Sequence, residues 1–114
     1  MTFDEYQKKA LATDLTGKPG QAVLSIGFMD KVLGLVGESG EFADKIKKIL
    51  RDKSGKISDG DRQELTKELG DVLWYIAVLA KNLDISFDDL ASQNISKLAR
   101  RHQTGKIGGK GDNR

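Results

Sequence analysis

Glu38-Ser39-Gly40-Glu41 and Glu68-Leu69-Gly70-Asp71 write one pattern twice: acid, any residue, glycine, acid. Counted from the first acid of each copy, apolar residues stand at offsets −3, +4, +8 and +11. These are Leu35, Phe42, Ile46 and Ile49 in the first copy, and Leu65, Val72, Ile76 and Leu79 in the second. At about 100° per residue the four offsets fall between roughly 20° and 80°, a single helical stripe, while the second acid falls near 300°. Two long helices presenting the same face are predicted, with carboxylates flanking the buried stripe. Packing the stripes together brings Glu38, Glu41, Glu68 and Asp71 toward one cleft.

Working outward, Thr2-x-x-Glu5 is a capping box that opens a first helix over about Phe3 to Thr13. Thr16 to Gly20 reads as a loop, and Gln21 to Phe28 is open between a helical turn and a connection. The second helix is expected over about Asp30 to Arg51, ending in the polar stretch Asp52 to Lys56. The third starts near Ser58 to Asp61, where short acidic and hydroxyl side chains can accept first-turn N–H groups, and runs to about Leu83. After the turn Asp84-Ile85-Ser86, a cap at Ser86-x-x-Asp89 starts a fourth helix that ends near His102. With one proline and little strand-like alternation, the chain is expected to be all-α and four-helix bundle-like. Residues 1–102 form one domain, and residues 103–114 form a Gly/Lys-rich arm. A helical chain of 114 residues leaves much surface exposed, so the core is expected to be completed by oligomerisation.

The composition, 38% hydrophobic and 32% charged, is that of a folded globular chain. No apolar run approaches the roughly 18 residues needed to cross a bilayer. The start Met1 to Glu5 lacks a basic segment followed by an apolar one, so no signal peptide is expected and the location is read as cytoplasmic. There is no cysteine, hence neither a disulfide nor a thiolate metal site. Basic residues cluster from Lys97 onward, which suits either a solvated tail or an anion-binding segment.

Four converging carboxylates cannot all stay ionised at a partly buried site without a counter-charge. A divalent cation resolves this, and Mg²⁺, a hard ion that prefers oxygen ligands, suits a carboxylate-only set that meets a phosphate substrate. Softer metals would want cysteine or histidine, and His102 is the one histidine. The competing reading is an ordinary charged helix surface, since Lys45 lies four after Glu41 and i,i+4 pairing is available. For one such acid pair alone that reading prevails; two copies with matched glycines and apolar offsets reverse it. Mid-helix glycine costs about 1 kcal/mol against alanine. Gly40 and Gly70 are therefore expected to mark close approach of a backbone or a ligand. Trp74 and Tyr75 are read as core or interface in preference to base-stacking residues.

These residues resemble the MazG-like nucleotide pyrophosphohydrolases, whose hallmark is Glu-x-x-Glu followed after a spacer by Glu-x-x-Asp. Gly34 to Lys48 looks like the first block, Lys67 to Tyr75 like the second, and Asn94 to Leu98 with Arg101 like the family's fourth-helix block. The fourth helix departs from the Arg-x-Pro ending of many members, reading Arg100-Arg101-His102. The resemblance implies hydrolysis of a nucleoside triphosphate to the monophosphate and pyrophosphate. It implies Mg²⁺, with Mn²⁺ as a substitute, held by Glu38, Glu41, Glu68 and Asp71. Glu38 or Glu41 would orient the attacking water, Lys48 would act with them, and Asn94, Lys97 and Arg101 would bind the substrate. A homo-oligomer, dimer or tetramer, is implied as well. Two other readings stay open: a base-specific dUTP- or dCTP-type pyrophosphatase, and a non-catalytic helical interaction module. Nucleic-acid binding is disfavoured, because an acidic cleft without metal repels a polyanion.

Overall fold

Each helix begins where the sequence supplies a side-chain oxygen for the free amides of a first turn. In the computed structural model, which describes residues 1–17 and 25–111, the helices are α1 (Phe3–Leu11), α2 (Ile26–Lys53), α3 (Asp59–Asn82) and α4 (Phe87–Gln103). The chain is all-α, as expected, and no strand occurs among the described residues. Thr2 and Glu5 form the expected capping box of α1. Ser58 and Asp61 form a second one on α3, and the Ser86 hydroxyl accepts from the Asp89 amide at 3.3 Å. At α2 the Ser25 hydroxyl accepts from the Phe28 amide at 3.1 Å, so this helix starts four residues before the expected Asp30. Of the open segment Gln21 to Phe28, residues 21–24 lie outside the described residues. α1 stops at Leu11 instead of Thr13, and the Thr13 hydroxyl donates to the Ala10 carbonyl. The C-terminal arm begins as a helix-ending turn: Gly105 has φ +68°, and Lys106 N–H bonds back to the Arg101 carbonyl at 2.8 Å.

The loop of residues 54–58 is too short for anything but an antiparallel return. The contacts show that register: Gly34 faces Tyr75, Lys45 faces Glu64 and Glu68, and Lys53 faces Asp61. The expected stripes meet in this hairpin, with Ile49 and Leu65 buried and their stripe neighbours partly so. α3 is the central helix. α2 packs on one side of it, α1 and α4 on the other, and α2 shares no face with α1 or α4. Burial on both sides explains why Ala77, Val78 and Ala80 are the most enclosed part of α3.

One polar side chain ties the second side together. Gln7, buried among apolar groups, donates through its amide to the carbonyls of Ala77 and Ile85, both at 3.0 Å, and accepts from the Phe87 amide at 3.3 Å. Asp4 accepts from the Asp88 amide and the Ser86 hydroxyl, while Asp88 accepts from the Phe3 amide, so α1 and α4 cap each other's first turns. Phe3 stacks on Phe87 with centroids 4.7 Å apart. On the other side, Lys31 is buried in an ion pair with Asp14 at 3.1 Å and tethers the segment after α1 to α2.

The Lys53 ammonium and the Ser58 amide hold the Asp61 carboxyl down to about 2. Because the folded value lies below the unfolded one, this contribution is complete above about pH 4 and drains away as pH falls toward 2. Asp61→Asn should therefore be less stable than the parent at pH 7, with the gap closing between pH 4 and 2.5. Urea unfolding at the three pH values measures it.

The radius of gyration is 17.0 Å, against about 13 Å for a compact chain of this length. Within one chain the bundle is open. No described helix is long and apolar enough to cross a membrane.

Candidate metal centre

The antiparallel register puts Glu38 of α2 level with Glu68 and Asp71 of α3. One carboxylate oxygen from each lies within 4.8 Å of the others, with Glu38 and Glu68 half-buried and Asp71 exposed. Glu41 stands outside this three-oxygen group and faces solvent. It remains near enough to act on Glu38. Burial pushes the Glu38 carboxyl above the usual glutamate range, and the charges of Asp71, Glu68 and Glu41 push it further, as does a hydrogen bond with Glu68. The cluster thus carries the electrostatic conflict expected of acids gathered for a cation.

A cleft of about 340 Å³ opens beside it, lined by Thr13, Glu38, Asp71, Trp74 and Tyr75. The Trp74 indole N–H donates to the Thr13 hydroxyl at 2.8 Å, and the two rings meet edge to face with centroids 4.9 Å apart. Trp74 packs on the core cluster of Ala10, Ala77 and Phe87. It serves the core, as expected, and the cleft wall at once. Tyr6 also lies close, since burial and the Asp71 charge both raise its phenol.

No described backbone of the same chain makes the expected close approach at the two motif glycines. Nothing among the described residues lies within 4 Å of where a Cβ would stand at Gly40 or Gly70. The tight crossing is nearer the start of α2, at Gly34, whose absent side chain leaves room for the Tyr75 ring.

The basic residues distribute differently from the acids. Lys48 pairs with Asp44 of its own helix at 2.6 Å and is more than half exposed. Lys45 crosses to α3, 3.4 Å from Glu68 and 3.9 Å from Glu64. Its sequence position showed only the pairing with Glu41; the cross-helix register brings its ammonium to Glu68 of the cluster. Asn94 and Lys97, with Leu90 and Arg100, line a separate cavity of about 560 Å³ on α4. Arg101 is buried, and one of its guanidinium N–H groups donates to the Gly111 carbonyl at 3.3 Å, beneath the folded-back arm.

The donor set is oxygen alone, closely spaced, and open on its cleft side. That chemistry fits a hard divalent cation and not a thiophilic one. The fold and the cluster define an all-helical protein built around an acidic cleft between two antiparallel helices. The family model for the MazG nucleotide pyrophosphohydrolase domain matches residues 30–105, and the chain belongs to that family. It is also 45% identical, over 114 residues and the full length of both chains, to the Gene 37 protein of Mycobacterium phage L5. No solved structure matches the chain.

Proposed function

We propose that this protein is a Mg²⁺-dependent nucleoside triphosphate pyrophosphohydrolase that works on the cytoplasmic nucleotide pool. The observation that carries the reading is the gathering of Glu38, Glu68 and Asp71 oxygens within 4.8 Å of one another. Membership of a family described by that activity supports it. Glu38, Glu68 and Asp71 hold the ion, with Glu41 completing the acidic set from the solvent side. When bound there, Mg²⁺, or Mn²⁺ in its place, would neutralise phosphate charge and acidify water. Glu41, outside the three-oxygen group, orients the attacking water and takes its proton. The water oxygen bonds to the α-phosphorus, the bond from that phosphorus to the bridging oxygen breaks, and pyrophosphate leaves. Lys45 and Lys48 lie along the same stretch of α2 and offset charge on the departing phosphates. Asn94, Lys97 and Arg101 are assigned to the substrate's remaining oxygens.

A panel of ribo- and deoxyribonucleoside triphosphates with Mg²⁺, followed for pyrophosphate and phosphate separately, tests this. Pyrophosphate release that stops with chelator supports the reading, and one strongly preferred base would narrow it to a base-specific enzyme. Phosphate release alone would mean cleavage at the terminal phosphate and overturn the pyrophosphohydrolase reading, whereas no turnover with any nucleotide leaves the non-catalytic interaction module standing in its place. Lys97→Ala should raise KM for the triphosphate about tenfold with kcat little changed, in line with loss of one phosphate contact of roughly 1.4 kcal/mol. Unchanged kinetics would remove Lys97 from the substrate site.

A further inference from the structure

The acidic cluster needs only α2 and α3, but the cleft beside it takes a further wall from elsewhere in the chain. Thr13 lines the cleft and follows α1, a helix that packs on α3 and α4 without sharing a face with α2. Helix packing alone therefore does not hold residues 12–17 against the Glu38 side of the cleft. A buried ion pair does. Lys31 is 3% exposed, and its ammonium lies 3.1 Å from the Asp14 carboxylate, with the exposed Asp30 a longer contact at 3.4 Å. The Thr16 hydroxyl accepts from the same ammonium, and Asp14 accepts from the amides of Thr16 and Gly17 at 3.2 and 3.1 Å. The loop is folded around one cation.

Lys31, Gly34 and Glu38 stand three and four residues apart and share one side of α2. Over about 10 Å of helix that side meets in turn the Asp14 carboxylate, the Tyr75 ring, and the carboxylates of Glu68 and Asp71. The segment so held puts the Thr13 hydroxyl 2.8 Å from the Trp74 indole nitrogen, at the cleft wall. An ion pair is a poor way to gain stability in a buried place, because two apolar side chains of similar size serve as well. What the pair adds is a fixed direction. We infer that Asp14 and Lys31 are positioning residues: they clamp the segment after α1 so that Thr13 and Trp74 form a fixed wall beside the acidic cluster. In the hydrolase reading, on which the kinetic part of this inference rests, that wall meets the nucleotide beyond its metal-held phosphates. Loss of the clamp then weakens triphosphate binding and leaves the chemical step, which belongs to the carboxylates, nearly intact.

The double substitution Asp14→Leu/Lys31→Met tests this, since it removes both charges together and leaves no buried one unpaired. Its melting temperature should stay near that of the parent. Its KM for the preferred triphosphate should nevertheless rise about fivefold, with kcat within about twofold. The Trp74 indole N–H, followed as a proton–nitrogen resonance without nucleotide or metal, should exchange with solvent about tenfold faster. Asp14→Asn keeps the shape and weakens only the tie, and should move both readings in the same direction should the double variant not fold. Parent-like exchange in either folded variant overturns the inference, because apolar groups or an amide then replace the pair in full. Faster exchange with unchanged KM overturns the positioning role. A parent that turns over no nucleotide sinks the hydrolase reading and not the clamp, which the exchange rate alone then decides.

Discussion

Asp71→Asn should cut pyrophosphate release by about a thousandfold or more, while the far-ultraviolet circular dichroism stays that of the parent. The magnitude follows from losing one of three gathered negative charges: several kcal/mol of charge stabilisation in the transition state, of which roughly 4 kcal/mol is a thousandfold. The fold should not suffer, because Asp71 is exposed and makes no capping or core contact. Its charge is the largest electrostatic contribution holding the Glu38 carboxyl up. Without it Glu38 should titrate nearer the ordinary glutamate range, and the metal-free protein should be no less stable than the parent. The pairing of lost turnover with undiminished stability separates a site residue from a structural one. Added Mg²⁺ should raise the melting temperature of the parent and leave that of Asp71→Asn little changed. Full activity in Asp71→Asn would sink the metal assignment, whatever the family.

Gln7→Ala is expected to be the most damaging single change away from the cleft. Its side chain satisfies the Ile85 carbonyl and the Phe87 amide and adds a second bond to the Ala77 carbonyl. Truncation strands groups that the packing of α1, α3 and α4 keeps from water, at about 1–3 kcal/mol for each fully unsatisfied one. The methylenes that fill the space beside Ala77 are lost as well. A total of about 3 kcal/mol is a fall of roughly 12 °C in melting temperature for a chain of this length. Gln7→Glu distinguishes polarity from volume: it keeps the shape but removes both amide donors, and should be nearly as harmful at pH 7. If Gln7→Ala melts within about 2 °C of the parent, the three-way tie is not what holds α1 in place.

The hairpin of α2 and α3 was legible because a helical repeat writes its own period into the residues, and two matched stripes point at each other without knowledge of the loop. Convergence of Glu38 on Glu68 and Asp71 follows from that alone. The start of α2 was not legible, since a lone serine in Gln21 to Phe28 resembles any other loop hydroxyl until the chain commits to a turn. Exclusion of Glu41 from the tight group was also beyond reach. Its 60° offset from Glu38 is small on a helical projection, yet enough to turn one carboxylate inward and the other to water. Lys45 was read against its own helix because the partner across the gap depends on the register set by residues 54–58. The burial of Arg101 depends on an arm folding back, which no periodicity encodes.

The indole in the cleft wall has a practical side. Trp74 is the sole tryptophan of the chain, and its ring sits beside both the acidic cluster and the Thr13 hydroxyl that anchors it. Ultraviolet emission from the unlabelled protein therefore originates at one known spot, and any change in wetness or charge there shifts the whole signal. Occupancy of the cavity can be followed in real time by fluorescence, without dye, tag or coupled assay.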